Sequence, residues 1–444
     1  MKRKRFATLV LAVVALALIR LAAFRGLVAP LRIAGPSMAE TLIGDHFEFT
    51  CEDCRFPFRC DAERPSATDL AVCPNCGFPR NHPLHAQRGQ RVVVDQLAYW
   101  FSAPKRWELV ALRSANRALV VKRVVGLPGE TIAVRRGDVH VDGRILRKSL
   151  SEFRRLATLV HDDTHRPGRS SDLPSRWHGE SEVTDWRPTP RGYRWSPTSR
   201  VASDAGEPRR DWLAYQHWRC YASPFPRSEP APISDNCAFN QAESRALRNV
   251  TDILVSCRVS LADEASLDVR LHDGRGFILA HVEAARHQIA VGREGHGWEA
   301  TRQLPAGLGS PWQLEFGTFD QQAVVAIGGT EAAHLAWPDP PDLDKASPTP
   351  VAIAAGGGLV EIENLRIFRD IHYLDPRNLG IDWELADRLR DDELCVLGDN
   401  AAVSQDSRSW PTGHLSRKTL FGRILAFPFQ GRRRPGMARS AEDK

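Results

Sequence analysis

The sequence predicts a mainly β protein with a single N-terminal transmembrane helix, a β-stranded core and an inserted antiparallel β-sandwich. Three observations predict it: an apolar run from Phe6 to Phe24, β-branched runs between 91 and 148, and period-two alternation from about 250 to 371. The chain has 444 residues, room for about three domains. Hydrophobic residues make up 42% and charged residues 26%, which excludes a polytopic membrane protein and a fully disordered one. Lys+Arg 60 against Asp+Glu 54 gives a formal charge of +6. Part of that excess sits in two short clusters, Lys2-Arg3-Lys4-Arg5 and Arg432-Arg433-Arg434. Clusters this short give no reason to expect nucleic acid as a partner.

The run from Phe6 to Phe24 is 19 residues long and contains one charge, Arg20. As a helix it nearly spans a ~30 Å hydrocarbon core. Arg20 lies near one end, where a long side chain snorkels to the interface. The basic run before it stays cytoplasmic by the positive-inside rule, placing the rest of the chain outside the cytoplasm. A cleaved signal peptide, cut near Ala22-Ala23, is the alternative.

Strands are expected at Val92-Val93-Val94, Leu109 to Leu112, Leu119-Val120-Val121 and Val139-His140-Val141. Gly126-Leu127-Pro128-Gly129 and Asp142-Gly143 are turn signals between them. Leu150 to Val160 reads as a short helix, and the rest of 149–200 as linker or irregular structure. From about 250, Val255, Cys257, Val259 and Leu261 alternate with polar residues, as do Leu267, Val269 and Leu271. Trp312, Leu314, Phe316 and then Ala323, Val325, Ile327 continue the pattern. Many short alternating strands with Gly-rich turns indicate an antiparallel sandwich.

Three stretches carry chemistry. Gly35-Pro36-Ser37-Met38 places a serine in a turn just past the apolar run. Val120-Val121-Lys122-Arg123-Val124-Val125 places a lysine inside a β-branched strand. Such a lysine is either an edge gatekeeper or a desolvated amine. Desolvation favours the neutral form and makes a base available. Leu397-Gly398-Asp399-Asn400 to Arg408 combines acids, hydroxyls and a guanidinium. A serine becomes a good nucleophile once a neighbouring base takes its proton.

In this order the stretches resemble the type I signal peptidases, membrane proteases with a Ser/Lys dyad. The most specific element is Lys122-Arg123-Val124-Val125-Gly126-Leu127-Pro128-Gly129-Glu130. The resemblance implies a signal-peptidase-type β catalytic core, with Ser37 as nucleophile and Lys122 as general base. It implies that Ser404 orients the lysine, and that Asp399, Asp406 and Arg408 brace the site. The substrate pocket would involve Leu31, Arg32, Ile33 and Ala34. The implied partners are signal peptides of exported preproteins and membrane lipid, at a cell (inner) membrane, with no catalytic cofactor. Two departures stand out: Glu40 replaces the family's proline after Ser-Met, and Ala401-Ala402 replaces an Arg-Asp pair. A catalytically weak core serving as a tethered binding module is the competing reading.

Cys51-x-x-Cys54 and Cys73-x-x-Cys76 are separated by 18 residues, a zinc-ribbon spacing that closes a structural four-thiolate site. Two disulfides are the alternative in an oxidising compartment. Cys60, Cys220, Cys237, Cys257 and Cys395 remain, Cys257 as a buried thiol. The later insertion, most closely at Val360-Glu361-Ile362-Glu363-Asn364-Leu365-Arg366-Ile367-Phe368-Arg369-Asp370, resembles concanavalin-like and laminin-G-like sandwiches, a class in which carbohydrate binding is common, and the resemblance implies a glycan or protein ligand. Trp312 and Trp337 are candidate sugar-stacking rings and equally candidate core or rim aromatics.

The expected organisation begins with a cytoplasmic tail and anchor (1–28), a first core part (29–48), a zinc-ribbon-like insertion (49–87) and a second core part (88–148). It continues with the linker and sandwich (149–371), a third core part (372–430) and a basic C-terminal tail (431–444).

Overall fold

The structure, a computed structural model, describes residues 2–24, 27–63, 70–81, 83, 85–114, 117–168, 173–197, 210–222, 227–374 and 382–425. The Arg432–Arg434 cluster and the expected tail at 431–444 lie outside these residues. The N-terminal run is helical, α1 (Lys2–Phe24), with outward apolar side chains such as Leu11 and Leu16, 75% and 63% exposed. Among the described residues no helix is long and apolar enough to cross a membrane. The expected span is therefore not supported by the structure.

A seven-stranded sheet comes next, built from segments far apart in sequence. Its strands are β1 (Val28–Arg32), β2 (Arg91–Asp95), β3 (Leu109–Arg113), β4 (Leu119–Gly126), β5 (Glu393–Leu397), β6 (Leu415–Ser416) and β7 (Leu420–Leu425). They lie in the order β1-β2-β7-β3-β4-β5-β6. The apolar run Val120-Val121 and Val124-Val125 makes β4 suited to an interior position, and its residues from Val121 to Gly126 are all buried. Strand β1 is an edge, where Pro30, lacking an N–H, costs no ladder bond. Beside this sheet stands a four-stranded one containing Ile132–Arg135 and Asp138–Val141. Its Asp142-Gly143 hairpin turn has φ of 49° and 76°, the left-handed pair a two-residue turn demands.

The sandwich is two antiparallel sheets. One has Val360–Arg369 and Ile253–Leu261 at its centre, the other Val351–Gly356 and Ser266–His272. The alternating residues Val255, Cys257, Val259, Leu267, Val269 and Leu271 fill the space between. Trp312 and Trp337 pack against this core.

The expectation of linker across 149–200 is corrected. A helix, α2 (Leu150–Leu156), opens the region, with Ser149 and Glu152 forming a capping box. Thr158–Asp162, Trp177–Gly179, Trp186–Thr189 and Gly192–Trp195 are sandwich strands. Trp177, Trp186, Tyr193 and Trp195 are buried in its core. Their alternation is short and interrupted by Arg and Pro, so large single aromatics, rather than aliphatic runs, carry the burial.

The cysteine region forms two hairpins, His46–Thr50 with Pro57–Asp61 and Leu70–Val72 with Pro79–Asn81. It docks on the sandwich through Asn75, whose side chain donates to the Asp162 and His165 carbonyls and accepts from Asp162 N–H.

Candidate active site and cysteine centre

Lys122 lies on β4 between β3 and β5, paired with Val110. That position excludes the edge-gatekeeper reading. The residue is 2% exposed. Burial pushes its ammonium down to about 8, partly offset by the Asp406 and Asp399 charges, while Arg408 lowers it further. Ser37 sits half-buried in a turn after β1. Its neighbour Met38 shares a buried apolar cluster with Val121, the neighbour of Lys122, and with Ile33, Val92 and Val94.

Gly398 brings the parts together. In β5, Leu397 pairs with Arg123, so the next antiparallel step sets Gly398 toward Lys122. A Cβ on Gly398 would stand 2.1 Å from Ser404 Oγ and 2.6 Å from the Ser37 carbonyl oxygen. Glycine is required there by space. Asn400 N–H donates to the Ser37 carbonyl at 3.1 Å, and Asn400 Nδ2 to the Pro36 carbonyl at 3.1 Å. The Ser37 turn is thus held by the loop after β5.

Two buried ion pairs stiffen that loop. Arg123 grips Asp399 through two bonds, Nε–Oδ1 at 2.7 Å, and also donates to the Trp107 carbonyl. Arg408 grips Asp406 at 2.9 and 2.7 Å and reaches the Leu374 carbonyl. Burial pushes the Asp406 carboxyl up, but Arg408 and the Gly398 N–H bring it net below its usual range. Ser404 also lowers it, although the buried Ser404 hydroxyl has no hydrogen bond of good geometry among the described residues.

Of the expected pocket residues, Ile33 is buried in the core, Leu31 is half-buried and Ala34 is exposed. Arg32 points outward and pairs with Asp45 at 2.6 Å. Sequence reading missed Arg123 as partner of Asp399, although the two lie in motifs already singled out. It also missed Asn240, whose side-chain amide pairs with that of Asn400. No local pattern marks that contact.

The four cysteines converge. Sulfur–sulfur distances are 3.5 Å for Cys51–Cys76 and 3.6 Å for Cys54–Cys73, and all four sulfurs lie within 4.8 Å of one another. These are near the ~3.8 Å edge of a tetrahedron with ~2.3 Å metal–sulfur bonds. They are far from the ~2.05 Å of a disulfide. The donor set thus fits a closed structural metal site. A cavity of about 660 Å³ opens between this unit, the Ser37 turn and the sandwich, lined by Glu40, Ile43, Phe58, Trp218 and Phe239 among others.

Comparison with known proteins places the Lys122 region. A family profile described as signal peptidase, peptidase S26, matches residues 82–184. Signal peptidase I of Leptolyngbya laminosa is 35% identical over 68 residues, 13% of this chain and 34% of that protein. Signal peptidase I V of Bacillus subtilis is 31% identical over 58 residues, again 13% and 34%. The chain therefore spans about a third of the length of the curated relatives it matches. Over this segment the chain is similar to signal peptidase I proteins. Among solved structures, the carbohydrate-binding module CBM66 from Bacillus subtilis aligns over 44% of this chain and 95% of its own, at 8% identity and a TM-score of 0.28. A Bacillus licheniformis β-glucanase aligns over 45% and 94%, at 9% and 0.29. Neither likeness bears on what the chain does.

Proposed function

We propose that the chain is a serine endopeptidase of the signal peptidase I type, removing signal peptides from exported preproteins. The observation that carries this reading is the lysine buried among valines in the S26-matching segment, its pKa brought to about 8. At neutral pH a useful fraction of such an amine is unprotonated. Lys122 Nζ takes the Ser37 hydroxyl proton as Oγ attacks the scissile carbonyl. The Ser37 backbone N–H stabilises the developing oxyanion. Lys122 then gives the proton to the leaving amine, and an acyl-enzyme on Ser37 forms. Water, deprotonated by Lys122, hydrolyses it. Ser404 orients the lysine, and the Arg123–Asp399 and Arg408–Asp406 pairs fix the loop around it. The substrate strand adds to the edge of β1 near Leu31, Arg32, Ile33 and Ala34.

The same reading makes α1 a single-pass anchor in the cell membrane, with the N-terminus cytoplasmic. The short helix α3 (Ala98–Phe101) suits a lipid surface: Trp100 and Phe101 are 75% and 86% exposed, and Gln96 N–H beside it donates to the Leu27 carbonyl, just before β1. Aromatic side chains favour the headgroup region. Cys51, Cys54, Cys73 and Cys76 hold a structural zinc, and the sandwich takes a glycan or protein ligand.

Cleavage of a preprotein by wild type, Ser37→Ala and Lys122→Ala tests the proposal. Cleavage by wild type alone supports it; equal behaviour of all three removes it. The large cavity favours a second reading, a catalytically weak core acting as a binding module, and that second outcome would select it.

A further inference from the structure

A short segment of the inserted region reaches the Ser37 turn. Ala238–Asn240 form a single 3-10 turn. Phe239, 1% exposed, packs on Ala39 and Ile43, just past Ser37. Asn240 and Asn400, 3% and 4% exposed, form a reciprocal amide pair with bonds of 2.7 and 2.8 Å. The base of this segment is fixed to the sandwich: Arg369, ending the strand Val360–Arg369, donates to the Asp235 and Asn236 carbonyls.

The amide pair has a directional consequence. An Asn side chain offers two donors on one end and one acceptor on the other. Asn400 uses one Nδ2 proton on the Pro36 carbonyl and the other on Asn240 Oδ1, while its own Oδ1 accepts from Asn240 Nδ2. Asn240 thereby dictates which way the Asn400 amide faces. Without it, a flip would set Asn400 Oδ1 against the Pro36 carbonyl, oxygen to oxygen. The backbone N–H of the same Asn400 holds the Ser37 carbonyl.

We propose that Asn240 is a positioning residue for the candidate nucleophile, acting through Asn400, so that the insertion completes the active site rather than merely hanging from it. This rests on Ser37 being the nucleophile.

The test is Asn240→Leu, close in size with neither bond, in the full-length protein. Expected are a fall in kcat of about tenfold, with KM within twofold and the ascending pH limb unmoved. Asn240→Ala also lacks both bonds and is expected to show the same fall; it serves if the leucine variant does not fold. Hydrogen exchange of segments 34–42 and 397–404, read by mass spectrometry, needs no activity. Both segments are expected to exchange faster in either variant than in wild type. Unchanged exchange and a kcat within twofold of wild type in a folded variant would overturn the proposal. An inactive wild type would instead sink the peptidase reading, and the exchange result would still decide what Asn240 does to the turn.

Discussion

Two buried lysines behave in opposite ways. Lys122, in the sheet, is 2% exposed; Lys148, at the junction with the sandwich, is 5% exposed. Lys148 Nζ meets Asp320 at 2.5 Å and Asp370 at 2.8 Å. Burial opposes its charge, but Asp320, Asp370 and Asp138 outweigh that and hold it well above the ordinary lysine range. Lys122 is only steadied at a distance by Asp406 and Asp399, each of which is already engaged by an arginine. Burial alone therefore does not make a base. Committing the nearby carboxylates to other cations is what leaves an amine free to lose its proton.

The first way to break the comparison is to remove the two groups proposed to react. Ser37→Ala and Lys122→Ala should each lower kcat/KM for preprotein cleavage by about 10⁴-fold or more. Lys122→Arg should do the same, since a guanidinium does not deprotonate. Activity retained in Lys122→Arg would show that the residue acts only as a cation. At the other lysine the loss should be in stability. Lys148→Met leaves buried carboxylates uncompensated and should cost about 3–5 kcal/mol in denaturant unfolding.

Next comes the metal. Freshly purified protein should contain one zinc per chain, and a strong chelator should lower its melting temperature; metal-free protein with an unchanged transition would remove the site. A smaller effect separates the regions by pH. Burial raises Asp252 to about 8, assisted by Asp320 and Asp370, and raises Asp320 to about 6 despite Lys148. Acids with raised folded-state pKa values bind more protons folded than unfolded, so they favour folding as pH falls. The melting temperature should therefore decline from about pH 5 to pH 8, and Asp252→Asn should flatten that slope. Catalysis should rise over the same upper range.

Much of the site was legible in the sequence because its pieces are local. Lys122 stands in a contiguous block, and the cysteine spacing needs only two knuckles. Many sandwich strands from Val255 onward showed through alternation of side chains across the pleat. Trp177–Gly179 and Trp186–Thr189 did not, because three or four residues give no period to read. The pairs Arg123–Asp399 and Asn240–Asn400 join residues 276 and 160 positions apart, and only the folded chain decides such partners. Lys148 shows the same limit: its sequence, Leu146-Arg147-Lys148-Ser149, gives no sign of the carboxylates it meets.

The most direct test of the central claim is the pH dependence of kcat/KM for preprotein cleavage between pH 6 and 10. A neutral Lys122 as base predicts an ascending limb with an apparent pKa about 8. A rate that stays flat through this range, or a limb that persists in Lys122→Ala at wild-type amplitude, would contradict it.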